Sequence, residues 1–206
     1  MKIIFRSYIL VVILFLFLSI PQKVFSFKKP ESLKEIGVFA GSLRDRTLAE
    51  KDDYVTVPVG LRFGLDIKPL IKKIKVSRYI FKKASILEES MLEFVAEPFM
   101  AGVISPDSNF ETGCGLLLKY GHRFGKFLPF INAGTGFQYT TQHTREEATQ
   151  WCFQVQGGAG FYYFLEKDKA VSFEYRFRHF SNAGTKEPNK GVDPYGFYIG
   201  FSYFFN

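Results

Sequence analysis

The chain has 206 residues, of which 47% are hydrophobic, 18% aromatic and 23% charged, with a formal net charge of +7. An aromatic load of 25 Phe and 11 Tyr excludes a disordered chain, which lacks such groups. Two cysteines are too few for a disulfide-dense scaffold or a cysteine-only zinc site, and beyond the N-terminus no apolar run is long enough for a membrane helix.

The first 26 residues read as a secretory signal peptide. Lys2 and Arg6 form a positive n-region, Tyr8 to Ile20 is apolar, Pro21 breaks the run, and Val24-Phe25-Ser26 suits cleavage after Ser26. An N-terminal membrane anchor is the other reading, but the run is short for it. Cleavage leaves 27–206 as a single domain. The charge falls from +7 to +4, since Lys2, Arg6 and Lys23 are lost. That excess is too mild to imply nucleic acid as a partner.

Stretches of strict alternation follow. Val55, Val57, Val59, Leu61, Phe63 and Leu65 alternate with small or polar residues. So do Val171, Phe173, Tyr175 and Phe177, and again Tyr195, Phe197, Ile199, Phe201, Tyr203 and Phe205. Period two predicts strands, near 36–43, 53–66, 92–104, 112–124, 128–140, 152–164, 171–180 and 195–205. A soluble sandwich would turn the apolar face inward, and a transmembrane barrel would turn it out to lipid. Three features favour the barrel. The strands are about ten residues long, as a tilted membrane strand needs. Gly134, Gly136, Gly158 and Gly160 recur on the other face, as a crowded narrow interior requires. Tyr139, Tyr163, Tyr195 and Tyr203 fall near strand ends, where aromatic girdles sit. The expected fold is all-β, an eight-stranded antiparallel transmembrane barrel of the bacterial outer membrane.

With both termini periplasmic, the extracellular connections are roughly 44–52, 105–111, 141–151 and 181–194. Segment 67–91 fits no strand. Its Lys68, Lys72, Lys73, Lys75, Arg78, Lys82 and Lys83 suit either an amphipathic piece on anionic lipid or a solvated basic loop. Eight strands are too narrow for an aqueous pore. Inward Arg62, Glu93, Glu97, Glu174, Arg176 and Arg178 are expected to pair with one another, and Asn132, Gln138, Gln154 and Gln156 to satisfy one another. Loop 141–150 reads as solvated. Cys114 and Cys152 lie on the fourth and sixth strands, two strand spacings apart, which is too far for a disulfide.

His179 and Ser181 share the lipid-facing parity of the seventh strand, about 7 Å apart along the backbone. Polar residues there are costly without a purpose. An imidazole at that spacing can serve as base for a serine hydroxyl. A turn at Asn182-Ala183-Gly184 could aim donors at an oxyanion, and Glu187 or Asp193 could orient the imidazole. On spacing alone, an interfacial His beside a chance Ser is an equally good reading. His122 and His143 have no partner at ligand spacing, so no metal site and no cofactor is read.

The stretch His179-Phe180-Ser181-Asn182-Ala183-Gly184, followed by Pro188-Asn189-Lys190-Gly191, resembles the outer-membrane lipid A deacylases of the acyloxyacyl hydrolase family. Weaker echoes are Glu97-Pro98-Phe99, Pro129-Phe130 with Gly134 and Gly136, and Gly158 and Gly160 before Tyr163-Phe164-Leu165. The resemblance implies a serine esterase releasing the 3-position acyl chain of lipid A in the outer leaflet. It implies Ser181 as nucleophile, His179 as base, Asp193 as orienting acid, and Asn182 with the Gly184 N–H as oxyanion donors. Lipopolysaccharide would be the substrate and outer-membrane lipid the surroundings, with a homodimer left open. The rivals are an outer-membrane phospholipase, whose twelve strands do not fit this length, and a non-enzymatic barrel acting as adhesin or scaffold.

Overall fold

Alternating sequence has become alternating exposure. The computed structural model describes residues 30–48, 53–73 and 89–205. Its strands are β1 (Leu33–Asp45), β2 (Tyr54–Asp66), β3 (Met91–Ser105), β4 (Asn109–Gly121), β5 (Phe127–Thr140), β6 (Trp151–Phe164), β7 (Lys169–Ser181) and β8 (Tyr195–Phe204). Each pairs antiparallel with the next, and β1 pairs with β8 from Glu35↔Phe204 to Arg44↔Tyr195, which closes the barrel. All eight expected strands are present. The largest shift is in β4, which ends at Gly121 rather than 124. Phe124 and Phe127 instead close a tight turn on each other through N–H···O bonds of 2.7 and 3.0 Å, around Gly125 at φ +60°. The signal-peptide residues lie outside the described ones.

Met100, Leu118, Ile131, Phe153, Phe173, Phe177, Phe197 and Ile199 stand exposed on the outer face with the expected Leu61, and the expected Val55 and Val57 are half-buried on the same parity of β2. Among the described residues no helix is long and apolar enough to cross a membrane. The lipid-facing surface is made by strands, and a closed ring of strands satisfies its own backbone. The barrel is therefore expected to keep its compact form in mild detergent and to migrate differently on gels before and after boiling. Identical mobility of the two samples would contradict closure.

The interior is a packed ion-pair network. Arg62 Nε donates to Glu97 at 2.6 Å and its Nη2 to Glu174 at 3.0 Å. Arg176 bridges the same two carboxylates, so four of the six expected residues pair among themselves. The other two find partners on β4. Lys119 bonds Glu35 and lies 3.0 Å from Glu93, and Arg178 donates to Glu111 at 2.9 Å. Glu111 and Lys119 escaped the sequence reading because Gly113, Gly115 and the Leu116-Leu117-Leu118 run blur the alternation of β4. The amides do not satisfy one another as expected. Asn132 donates to Glu174, Gln154 to the Phe137 carbonyl, and Gln138 is buried without a partner among the described residues. Gln156 donates to Gln154 only at 3.5 Å. Glycines make room for this network: a Cβ on Gly158 would come within 2.9 Å of the Glu174 carboxylate.

Of segment 67–91, residues 68–71 form one helical turn, α1 (Lys68–Ile71); 74–88 lie outside the described residues. Cys114 and Cys152 are free thiols, with β5 between their strands.

Candidate active site

The seventh strand carries charge inward and rings outward until its end, where the outward set changes character. Phe173, Tyr175 and Phe177 are exposed, Glu174, Arg176 and Arg178 are buried, and His179 and Ser181 continue the outward series half-buried. Pairing with β6 sets Val155 opposite His179 and Phe153 opposite Ser181, so both polar side chains border an apolar wall.

The chain beyond Ser181 then folds back along β7. Phe180 and Val192 exchange N–H···O bonds of 3.0 Å each way, and Arg178 N donates to the Pro194 carbonyl at 2.9 Å. This register puts Asp193 across from His179 and Gly191 across from Ser181. His179 Nδ1 lies 2.7 Å from Asp193 Oδ1. Phe180 and Val192 point the other way, into a buried apolar cap with Leu48, Tyr54, Val103 and Cys152. The cap supports the segment from beneath, and the polar pair stays outside. Glu187, the other acid of this loop, is exposed at its tip.

Gly191 fits this geometry twice over. Its φ of +79° is a left-handed conformation that costs an L-residue about 1–2 kcal/mol. A Cβ there would also lie 2.3 Å from His179 Cε1, so the imidazole packs directly on the glycine. Gly191→Ala is expected to push the ring off Asp193 and to lower any hydrolytic rate about 10²-fold, the scale of an ångström misplacement. The check is the rate measured on protein that still shows the compact unboiled band.

Asn182 is not placed as the sequence suggested. Its side chain is buried, and Nδ2 donates to the carbonyls of Lys186 at 2.8 Å and Pro188 at 3.3 Å. Its backbone N–H is held by Glu147 Oε2 at 2.9 Å and Asn189 Oδ1 at 3.0 Å. Asn182 therefore builds the loop and has no N–H left for an oxyanion. Gly184 stays exposed, at φ +76°. Asn189 spends its oxygen on Asn182, and its Nδ2 lies 4.0 Å from the point a Cβ on Gly184 would occupy. Asn189 stood in the quoted motif but drew no role, because nothing in a linear spacing tells which of two nearby amides folds inward.

Loop 141–150 is solvated only in part, with His143 and Arg145 exposed. Gln142, Glu146 and Glu147 are buried, and the loop pairs with 186–190 through Ala148 N to Pro188 O and Lys190 N to Glu146 O. Burial pushes the Glu147 carboxyl above the usual carboxylate range, while the N–H groups of Gly191 and Asn182 pull it back down. From the end of β1, Asp45 accepts the Asp193 N–H at 2.6 Å. The remaining histidines lie elsewhere: His122 Nδ1 is 3.0 Å from Ser90 Oγ at the opposite end of β4, and His143 Nε2 is 3.4 Å from Gln150 Nε2. Among the described residues no cluster could hold a metal ion.

Fold and site together define a class: an eight-stranded barrel of the outer-membrane type with a His–carboxylate pair and a serine on its lipid-facing rim. Residues 85–202 match the family model described as lipid A 3-O-deacylase (PagL), which covers more than half of the chain, and the chain belongs to that family. Two solved structures share the fold. The crystal structure of the outer membrane enzyme PagL is 18% identical, with a TM-score of 0.58 over 81% of this chain and 97% of that one. Neisserial surface protein A (NspA) is 11% identical, with a TM-score of 0.55 over 83% of this chain and 96% of that one. No curated protein sequence matches the chain.

Proposed function

We propose that this protein is an integral outer-membrane serine esterase that hydrolyses the 3-position ester-linked acyl chain of lipid A in the outer leaflet, exported by cleavage of residues 1–26. The observation that carries the reading is the 2.7 Å contact between His179 Nδ1 and Asp193 Oδ1 on the face that also bears Ser181. With Nδ1–H donated to the carboxylate, Nε2 is the basic nitrogen and is free to take the Ser181 proton. Ser181 Oγ attacks the ester carbonyl, and the C–O bond to the sugar then breaks as His179 returns its proton to the departing hydroxyl. Water, deprotonated by the same imidazole, releases the acyl group as a fatty acid and restores the serine. The Gly184 N–H and the Asn189 amide are the oxyanion donors left by the commitment of Asn182. No step calls for a metal or cofactor.

The placement of the pair suits a substrate that never leaves the membrane. Ser181 stands where the lipid-facing strand meets the loops, with Phe153 and Val155 beside it. An ester at the base of a lipid headgroup lies at that depth, and its acyl chain can run down the apolar wall. The test is mass spectrometry of lipid A from cells with and without the protein. Loss of one 3-linked acyl chain, appearing only with the protein, is expected. Lyso-phospholipids with unchanged lipid A would favour a phospholipase instead, and no change in either lipid would favour an adhesin or scaffold.

A further inference from the structure

We infer that Asp45, at the end of β1, and Glu147, in loop 141–150, are positioning residues whose carboxylates hold the backbone of the catalytic segment in its reactive geometry. The inference rests on the esterase reading above.

Three backbone N–H groups lie next to, or belong to, the proposed catalytic residues, and carboxylates from outside the segment accept all three. Glu147 Oε2 accepts from Asn182, the residue after Ser181, and Glu147 Oε1 accepts from Gly191, on which the His179 ring packs, both at 2.9 Å. Asp45 Oδ2 accepts from Asp193 at 2.6 Å, and its Oδ1 is held by Thr47 N and Oγ1 at 2.7 and 2.6 Å. The two sites differ in reach. Glu147 ties the outgoing limb at 182 to the returning limb at 191, which fixes the width of the segment where Ser181 and His179 stand. Asp45 fixes the height of Asp193 against the imidazole. Both carboxylates are buried, Asp45 to 1% exposure and Glu147 to 7%. A buried carboxylate accepting two N–H groups with two oxygens leaves no role for a neutral amide, whose NH₂ would face an N–H donor.

Glu147→Gln therefore keeps volume and packing while it removes the charge and turns one acceptor oxygen into an N–H donor. The experiment uses the full-length chain, purified lipopolysaccharide as substrate, and Glu147→Gln, Glu147→Asp and Asp45→Asn beside wild type and Ser181→Ala. All should show the compact unboiled band. Glu147→Gln is expected to lower kcat about 10- to 100-fold, the scale of one or two unmet buried hydrogen bonds. KM should stay within about two-fold, because neither carboxylate lies on the acyl-chain wall. Glu147→Asp should recover part of the loss, and Asp45→Asn should fall about ten-fold. Nitrogen-15 spectra of the imidazoles add a readout that needs no substrate. Wild type should show His179 as the Nδ1–H tautomer, and Glu147→Gln and Asp45→Asn should show a mixture.

A wild type without activity, or an active Ser181→Ala, would refute the esterase reading, and the tautomer spectra would still decide the positioning role. Glu147→Gln at the wild-type rate, or with the wild-type His179 tautomer, would overturn the inference alone. A Glu147→Asp no better than Glu147→Gln would overturn it too.

Discussion

Ser181→Ala and His179→Ala are each expected to lower acyl release from lipid A by about 10⁶-fold, because removing either half of a nucleophile–base pair disables the same step. The barrel should be untouched, since both side chains lie on its outer face at the end of β7 and neither belongs to the interior network. Asp193→Ala should cost less, about 10⁴-fold, because the imidazole remains but loses the 2.7 Å contact that selects its tautomer. Glu187→Ala should stay near wild type, as Glu187 is exposed at the loop tip. Initial rates of fatty-acid release, measured on protein with the compact unboiled band, decide all four. An active Ser181→Ala sinks the mechanism. An inactive Glu187→Ala with an active Asp193→Ala moves the acid.

The fold was legible because a membrane barrel writes its architecture into every second residue. β2, β7 and β8 each expose one chemistry to lipid and another to the interior, and a one-residue slip would invert both. β4 was hardest to read, as Leu116, Leu117 and Leu118 hide which parity faces inward, and with it the pairing of Lys119 with Glu35 and Glu93. The spacing of His179 and Ser181 was legible for the same period-two reason. The acid was not, because Glu187 and Asp193 share one loop. Only the return of the chain, with Val192 opposite Phe180, puts Asp193 across from His179. Contacts between loops left no periodic signal at all. Glu147 lies 35 residues from Asn182, and Asp45 lies 148 from Asp193. A polar run such as 141–150 reads the same whether it faces water or another loop's N–H groups.

Glu97→Ala is expected to destabilise the barrel by about 3–5 kcal/mol, the cost of stripping a partner from buried charge. Glu97 sits between Arg62, at 2.6 Å, and Arg176, and all three side chains are almost fully enclosed. Without it, Glu174 alone faces two guanidiniums. Glu97→Gln should cost less, since the amide oxygen still accepts one N–H bond. The measurement is the temperature at which the compact band converts to the unfolded one, lowest for Glu97→Ala. Deacylation in the cold should survive, because the network is inside the wall and Ser181 and His179 are outside it. The same variant separates a packed barrel from a conducting one. In a water-filled lumen the arginines would be solvated, and Glu97→Ala would convert at the wild-type temperature. A lowered conversion temperature with activity kept would mean that the interior holds the barrel together while the chemistry belongs to its outer rim.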